Sequence, residues 1–389
     1  MPLNSTAGKY LAKLQEEFFG AAGIDPNSLS KDLSELPEDF WMNAAVAMGL
    51  NDQQMASYRQ SFQMLLDEAE ARRSTPYEDP SLFWLVDSLA TGIEESAKEM
   101  KLVLSQRPVF GVLPLRQMNA LTVRVPSSDD YVIAFQYGVF GFMNLATKAF
   151  AASLPSTEQG DRYGFKTDAN DVRNHLAADS TPLRRMSDFL AAYVYAGDPH
   201  AAEQYFLPGP PQHLAEILRV GAESFVVGHE YGHIVAGHLN PDRLIPPGGT
   251  HNEIDMLPRA WQDEFEADFL GMALTAQTMA RRDFDLALCY AGVDLAFTAI
   301  ELAERALAVA RNGDASARQT SDTHPPASMR RDMARIGLTN LTRNSDQVES
   351  ARGLADALEM IGELMWERIE PFFLDMHRRG QRPSLVWGS

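Results

Sequence analysis

Apolar residues recur at three- and four-residue spacings through residues 40–73 and 81–104, with the breaker run Ser74-Thr75-Pro76 between them, which predicts long helices. The pattern then shortens. Residues 108–115, 120–126 and 131–137 are brief runs rich in Val, Leu, Phe and Tyr, and Ser127-Ser128-Asp129-Asp130 between the last two reads as a hairpin turn. This small sheet is the only one the pattern predicts. Helical spacing returns at 140–153, a Gly- and Pro-containing linker covers 154–164, and residues 168–195 read as helical with a break near Thr181-Pro182. Pro208-Gly209-Pro210-Pro211 stops the chain and opens the next helix, expected to run to Leu239, since proline suits a first helical turn. A Pro/Gly-rich loop at 242–256, helices at 258–282 and 284–311, a polar linker at 312–323 and a tail helix at 345–379 complete the reading. The fold class is α+β and mostly α-helical. Three regions are expected: N-terminal helices (1–105), a core carrying the sheet (106–340) and a C-terminal helical tail (341–389).

Composition narrows the function. The 34 basic and 53 acidic residues leave a net charge of −19, so no broad basic surface is available and a nucleic-acid partner is not expected. The one cysteine, Cys289, excludes an internal disulfide and a cysteine-based metal site, and suits a reducing compartment. No window reaches the roughly 18 uninterrupted apolar residues of a membrane span, and residues 1–20 lack a signal-peptide pattern. The expectation is a soluble, cytoplasmic protein.

Chemistry concentrates at His229-Glu230-Tyr231-Gly232-His233. Two histidines four apart share one helix face, about 40° apart, so both imidazoles reach one metal ion, with Glu230 beside them. With nine histidines in the chain, the pattern arises by chance on the order of once in seventy such sequences, so its setting carries the argument. Phe225, Val226, Val227, Ile234 and Val235 make the helix a buried one, where unpaired polar side chains are costly and a metal supplies the partner. A catalytic zinc site needs a third protein ligand. On a continuing helix His238 lies about 180° from His229, and reads as a helix-end residue facing the dipole. Glu264 and Asp268, four apart on the next helix, are better placed: one can ligate and the other can accept a hydrogen bond from a ligand imidazole. Glu266 points elsewhere, toward solvent.

His-Glu-x-x-His followed by Glu264-x-x-x-Asp268 resembles the gluzincin metallopeptidases. The likeness is to the branch containing the CAAX prenyl protease and the HtpX heat-shock protease, whose Thr-His-Pro and arginine have counterparts in Thr323-His324-Pro325 and Arg330. It spans about residues 120–336. The resemblance implies a zincin-like helical core and one zinc ion per chain, held by His229, His233 and Glu264. It makes Glu230 the general base and Asp268 the partner of a ligand histidine, and it places His324 and Arg330 at the cleft to position substrate or stabilise an oxyanion. Tyr231 is a further candidate oxyanion donor. Members of that branch are commonly membrane-embedded or exported, so their membrane substrates are not carried over. The opposing reading of 323–331 is a turn starting a helix, with Arg330 and Arg331 on the surface.

The expected activity is zinc-dependent endopeptidase hydrolysis of a protein or peptide substrate, which would lie along an edge of the strand pair within 120–137. The alternatives are a non-catalytic zinc-containing or helical interaction protein, and a narrow peptidase with one protein target; the N-terminal helices are expected either to cap the cleft or to bind a partner. Cys289 reads as a small core residue.

Overall fold

The computed structural model describes residues 5–25, 38–73, 75–102, 104, 106–159, 162–240, 253–317 and 324–384. The chain is mostly helical with a small mixed sheet, the α+β class expected. Helix α1 (Thr6–Ala22) begins at a Ser5 side-chain cap and ends at left-handed Gly23. Residues 40–73, one periodic stretch in the sequence, form two helices, α2 (Glu38–Met48) and α3 (Asp52–Arg72). The cause is local: Gly49 takes φ 64°, and Asn51 and Gln54 restart the helix with a reciprocal capping box. Helix α4 (Pro80–Glu99) follows a side-chain cap from Asp79.

The three predicted strands form as β1 (Val109–Leu113), β2 (Ala120–Arg124) and β3 (Tyr131–Gln136). Their order is β1-β3-β2, with β3 parallel to β1 and antiparallel to β2, so β2 is an edge strand. The turn at 127–130 joins β2 to β3, with Ser127 at φ 61°. A second, two-stranded ladder of β4 (Ser156–Gln159) and β5 (Arg162–Phe165) lies where a linker was expected. Strands of four residues are too short to display an alternation against Gly- and Pro-containing flanks.

Helices α5 (Gly138–Ser153), α6 (Ala169–Ala178) and α7 (Thr181–Ala191) lead to α8 (Pro210–Val235), the spine of the molecule. Leu218, Ala222 and Phe225 of α8 join a core shared with α5, α7, α10 (Leu286–Asn312) and α12 (Ser345–Arg378). Val227, Tyr231 and Ile234 join a second cluster with α4 and the sheet. Helix α10 is long and apolar enough by composition to cross a bilayer, but it is mostly buried against its neighbours, α8 and α12 above all. The loop expected at 242–256 lies largely outside the described residues.

Two features bring the chemistry together. Gly228 and Gly232 on α8 face Ala267 and Gly271 on α9 (Glu253–Ala280), so the two backbones meet with almost nothing between them. A Cβ at Gly271 would stand 2.7 Å from the His229 nitrogen. Helix α11 (Ala327–Gly337) is pinned to α10 by ion pairs from Arg331 to Glu301 (2.9 Å) and from Arg335 to Asp294 (2.8 Å). That anchoring turns the preceding residue, Arg330, inward.

Candidate metal centre

His229 and His233 project from one face of α8 toward α9, as four-residue spacing requires. Their Nε2 atoms are 3.1 Å apart. Glu264 on α9 closes the triangle, with Oε2 3.5 Å from His229 Nε2 and Oε1 3.4 Å from His233 Nε2. A tetrahedral ion at 2.0–2.1 Å from each ligand spaces those ligands by about 3.3 Å; the two nitrogens are near that spacing, and the carboxylate turns a different oxygen toward each of them, close enough for all three side chains to reach one ion. The donor chemistry agrees. Glu264 is buried, and its Oε2 accepts no hydrogen bond from the protein. Its nearest cation is the Arg330 guanidinium at 3.5 Å, an ion pair without a hydrogen bond, and a buried carboxylate oxygen in that condition is costly unless a closer cation completes it. The group can hold a metal ion.

Asp268, one turn beyond Glu264, sets the orientation of His229. Its Oδ1 lies 2.9 Å from His229 Nδ1. A carboxylate only accepts, so Nδ1 carries the proton and Nε2 offers its lone pair to the centre. Arg330 grips the same carboxylate in a fork: Nε donates to Oδ2 at 2.8 Å and Nη2 to Oδ1 at 2.6 Å. The guanidinium also lies 3.5 Å from Glu264 Oε2 and over the Phe297 ring. Arg330 and Arg331 are 14% and 5% exposed at their side chains, which overturns the reading that places them on the surface. Arg330 therefore acts here by holding Asp268.

Charge follows from these contacts. Burial alone would raise the Glu264 carboxyl, but the hydrogen bond from His233 and the charges of His229 and Arg330 hold it well below the usual carboxylate range. Asp268 is likewise depressed: burial opposes, and Arg330 and His229 prevail. Burial pulls the His229 imidazole down, yet Asp268 more than offsets it, so His229 stands above its ordinary value and a proton competes with a metal ion for it.

Glu230, next to His229, stays outside the ligand set. Its Oε2 accepts the hydroxyl proton of Thr122 on β2, the edge strand. Nothing in the sequence marks Thr122, because only the packing of β2 against α8 brings it there. His324, just before α11, lies with Nε2 3.6 Å from Glu264 Oε1 and is half exposed; burial of the ring holds its imidazole below the ordinary value. Thr323 of the same motif lies outside the described residues. Tyr231 is on another face of α8, buried in the cluster with Ile93 and Phe140, where burial pushes its hydroxyl up to about 12. The structure thus separates Tyr231 from the proposed oxyanion position.

His238 departs from its expected place because α8 ends at Val235 and not at Leu239. Gly237 takes φ 73°, and the Gly237 and His238 amides donate to the carbonyls of Ile234 and His233, at 3.0 Å each. This is a Schellman turn, which ordinarily closes with an apolar contact between the residues that His233 and His238 occupy. Here the contact is a hydrogen bond between their Nδ1 atoms, 2.9 Å apart. His238 Nε2 in turn reaches Glu266 Oε2 at 3.3 Å and Asp263 Oδ1 at 3.5 Å, so Glu266, although exposed, is engaged.

No protein-family model matches this sequence, and neither a curated protein nor a solved structure gives a match.

Proposed function

We propose that this chain is a zinc-dependent endopeptidase. The observation that carries the reading is the division of labour at one site. Three side chains present ligand atoms close enough together to hold one ion, while the carboxylate next to the first ligand stays outside that set, held by Thr122. A purely structural site has no use for that second carboxylate.

The ion, when bound, would supply Lewis acidity toward a carbonyl oxygen and make a neighbouring water acidic. The chain's own residues account for the remaining chemistry. Glu230 accepts a proton from water as the water oxygen bonds to the scissile carbon, then returns that proton to the amine nitrogen as the carbon–nitrogen bond breaks. Thr122 fixes the direction of the Glu230 carboxylate. His324, half exposed beside Glu264, is placed to donate a hydrogen bond to the developing oxyanion. An extended peptide can add to the outer edge of β2, the strand that also supplies Thr122. Met42, Val46, Tyr58 and Met64 are exposed on α2 and α3, which supports a narrow enzyme whose protein target docks on those helices.

Two measurements test this. Elemental analysis of the wild type should give about one zinc per chain in the Glu264-dependent site, with Glu264→Ala losing it. Glu230→Gln should keep the metal and lose peptide hydrolysis by at least about a hundredfold, the scale of general-base catalysis. Full turnover in that variant would overturn the general-base assignment, and a folded wild type that takes up no zinc would overturn the metallopeptidase reading itself.

A further inference from the structure

Beside the centre described above stands a second set of ligand atoms that the proposed reaction does not use. His238 Nε2 lies 3.5 Å from Asp263 Oδ1 and 3.3 Å from Glu266 Oε2. These edges again match ligands spaced by about 3.3 Å around one tetrahedral ion. The three ligand atoms all lie within 4.8 Å of one another. The His238 side chain is 4% exposed, while those of Asp263 and Glu266 are 34% and 46% exposed, so the nitrogen is fixed from behind and the carboxylates open toward solvent. That is a floor with an entry path.

We infer that His238, Asp263 and Glu266 form a second site for a borderline divalent cation such as zinc, and that ions in the two sites oppose each other. The site stands on its own geometry; the opposition rests on the metal centre proposed above. It follows from the 2.9 Å contact between His233 Nδ1 and His238 Nδ1, which has room for a single proton. With an ion on His233 Nε2, the neutral ring carries its proton on Nδ1 and donates it to His238 Nδ1. His238 then bears its own proton on Nε2, aimed at Asp263 and Glu266. An ion at His238 Nε2 must displace that proton to Nδ1, where two N–H groups would face each other. The hydrogen bond breaks, and the support it gives to His233 goes with it. The second set, with one nitrogen and two partly hydrated oxygens, is also the weaker by composition.

The test is equilibrium dialysis of the full chain against buffered free zinc over a wide range, with bound metal counted per chain. The wild type should fill in two steps, the second at free zinc about 100-fold or more above the first. Asp263→Asn/Glu266→Gln alters only partly exposed side chains, should fold as the wild type does, and should keep the first step while losing the second. In Glu264→Ala, which loses the first ion, the second site should also fill at lower free zinc than it does in the wild type, because opposition between two sites is reciprocal. One step that is lost in Glu264→Ala and kept in the double variant overturns the second site and leaves the proposed function standing. A second step that survives in the double variant overturns the assignment to these residues. A second site that fills at the same free zinc in Glu264→Ala as in the wild type overturns the opposition. No uptake at all overturns both the second site and the metal centre.

Discussion

Replacing Asp268 by Asn removes one negative charge and almost no volume from the least exposed part of the centre. Asp268 is 2% exposed, accepts two hydrogen bonds from Arg330 at 2.6 and 2.8 Å, and faces His229 Nδ1 at 2.9 Å. Asn keeps one acceptor oxygen and turns the other into a donor pointing at a guanidinium. Arg330, 14% exposed at its side chain, then loses its nearest counter-charge and keeps only the more distant Glu264 carboxylate at 3.5 Å. Breaking a buried ion pair from one side costs about 3–5 kcal/mol, so urea unfolding of the chelator-treated variant should show a loss on the order of 3 kcal/mol. Metal binding should weaken by about 10–100-fold, because His229 loses the group that fixes its tautomer and ring orientation. Arg330→Met in the same background should restore part of the stability, with a coupling of about 0.5–3 kcal/mol in the double-mutant cycle. The pH dependence has a defined sign. The Asp268 carboxyl is held below its ordinary value of 3.8, so its stabilisation is present above about pH 4 and is lost as the solution is acidified below that; the variant should show a flatter acid limb. Chelator competition supplies the affinities and denaturant titration the stabilities. Wild-type zinc affinity together with wild-type stability would refute the account of Asp268 as the hinge between His229 and Arg330.

Three further outcomes follow from particular contacts. Gly271→Ala places a Cβ 2.7 Å from the His229 backbone nitrogen, so the α8–α9 seam must open, at a cost of about 1–3 kcal/mol in thermal unfolding and with zinc affinity reduced about tenfold or more; wild-type affinity would show that the seam does not set the ligand positions. Gly237→Ala forces a side chain into φ 73° and against Asn240, and should cost about 1–2 kcal/mol by denaturant titration; no measurable change would remove the Schellman turn from the account of His238. Glu78 is buried beneath α1, accepting from Gln15 and from the Val112 amide, and burial raises its carboxyl from 4.5 to about 8. The folded state keeps that proton where the unfolded chain has lost it, so stability should fall between about pH 5 and 8, by at most roughly 5 kcal/mol at 1.36 kcal/mol per pH unit. Glu78→Gln should flatten that slope, and an unchanged slope would locate its source elsewhere.

The sequence by itself determined the elements whose causes lie within a few residues. Period-3.6 spacing and proline and glycine stops located most of the helices, and short β-branched runs with a polar turn located β2 and β3. Four-residue spacing placed His229 with His233 and Glu264 with Asp268, because those pairs share a helix face whatever the fold. A local rule fails where it is carried past its range. The left-handed Gly237 ends α8 before His238, so no helical rotation places that residue, and Tyr231 lies on another face from His229 and His233 because one residue on a helix is a 100° rotation. Only tertiary structure brought α9 against α8 along a seam of glycine and alanine, set Thr122 from an edge strand on Glu230, and turned Arg330 inward beneath ion pairs from Arg331 and Arg335. Those contacts join positions from 30 residues apart (Glu301 and Arg331) to 108 apart (Thr122 and Glu230), and no spacing rule reaches that far, since which faces meet is decided by the packing of whole helices and not by the residues that end up touching.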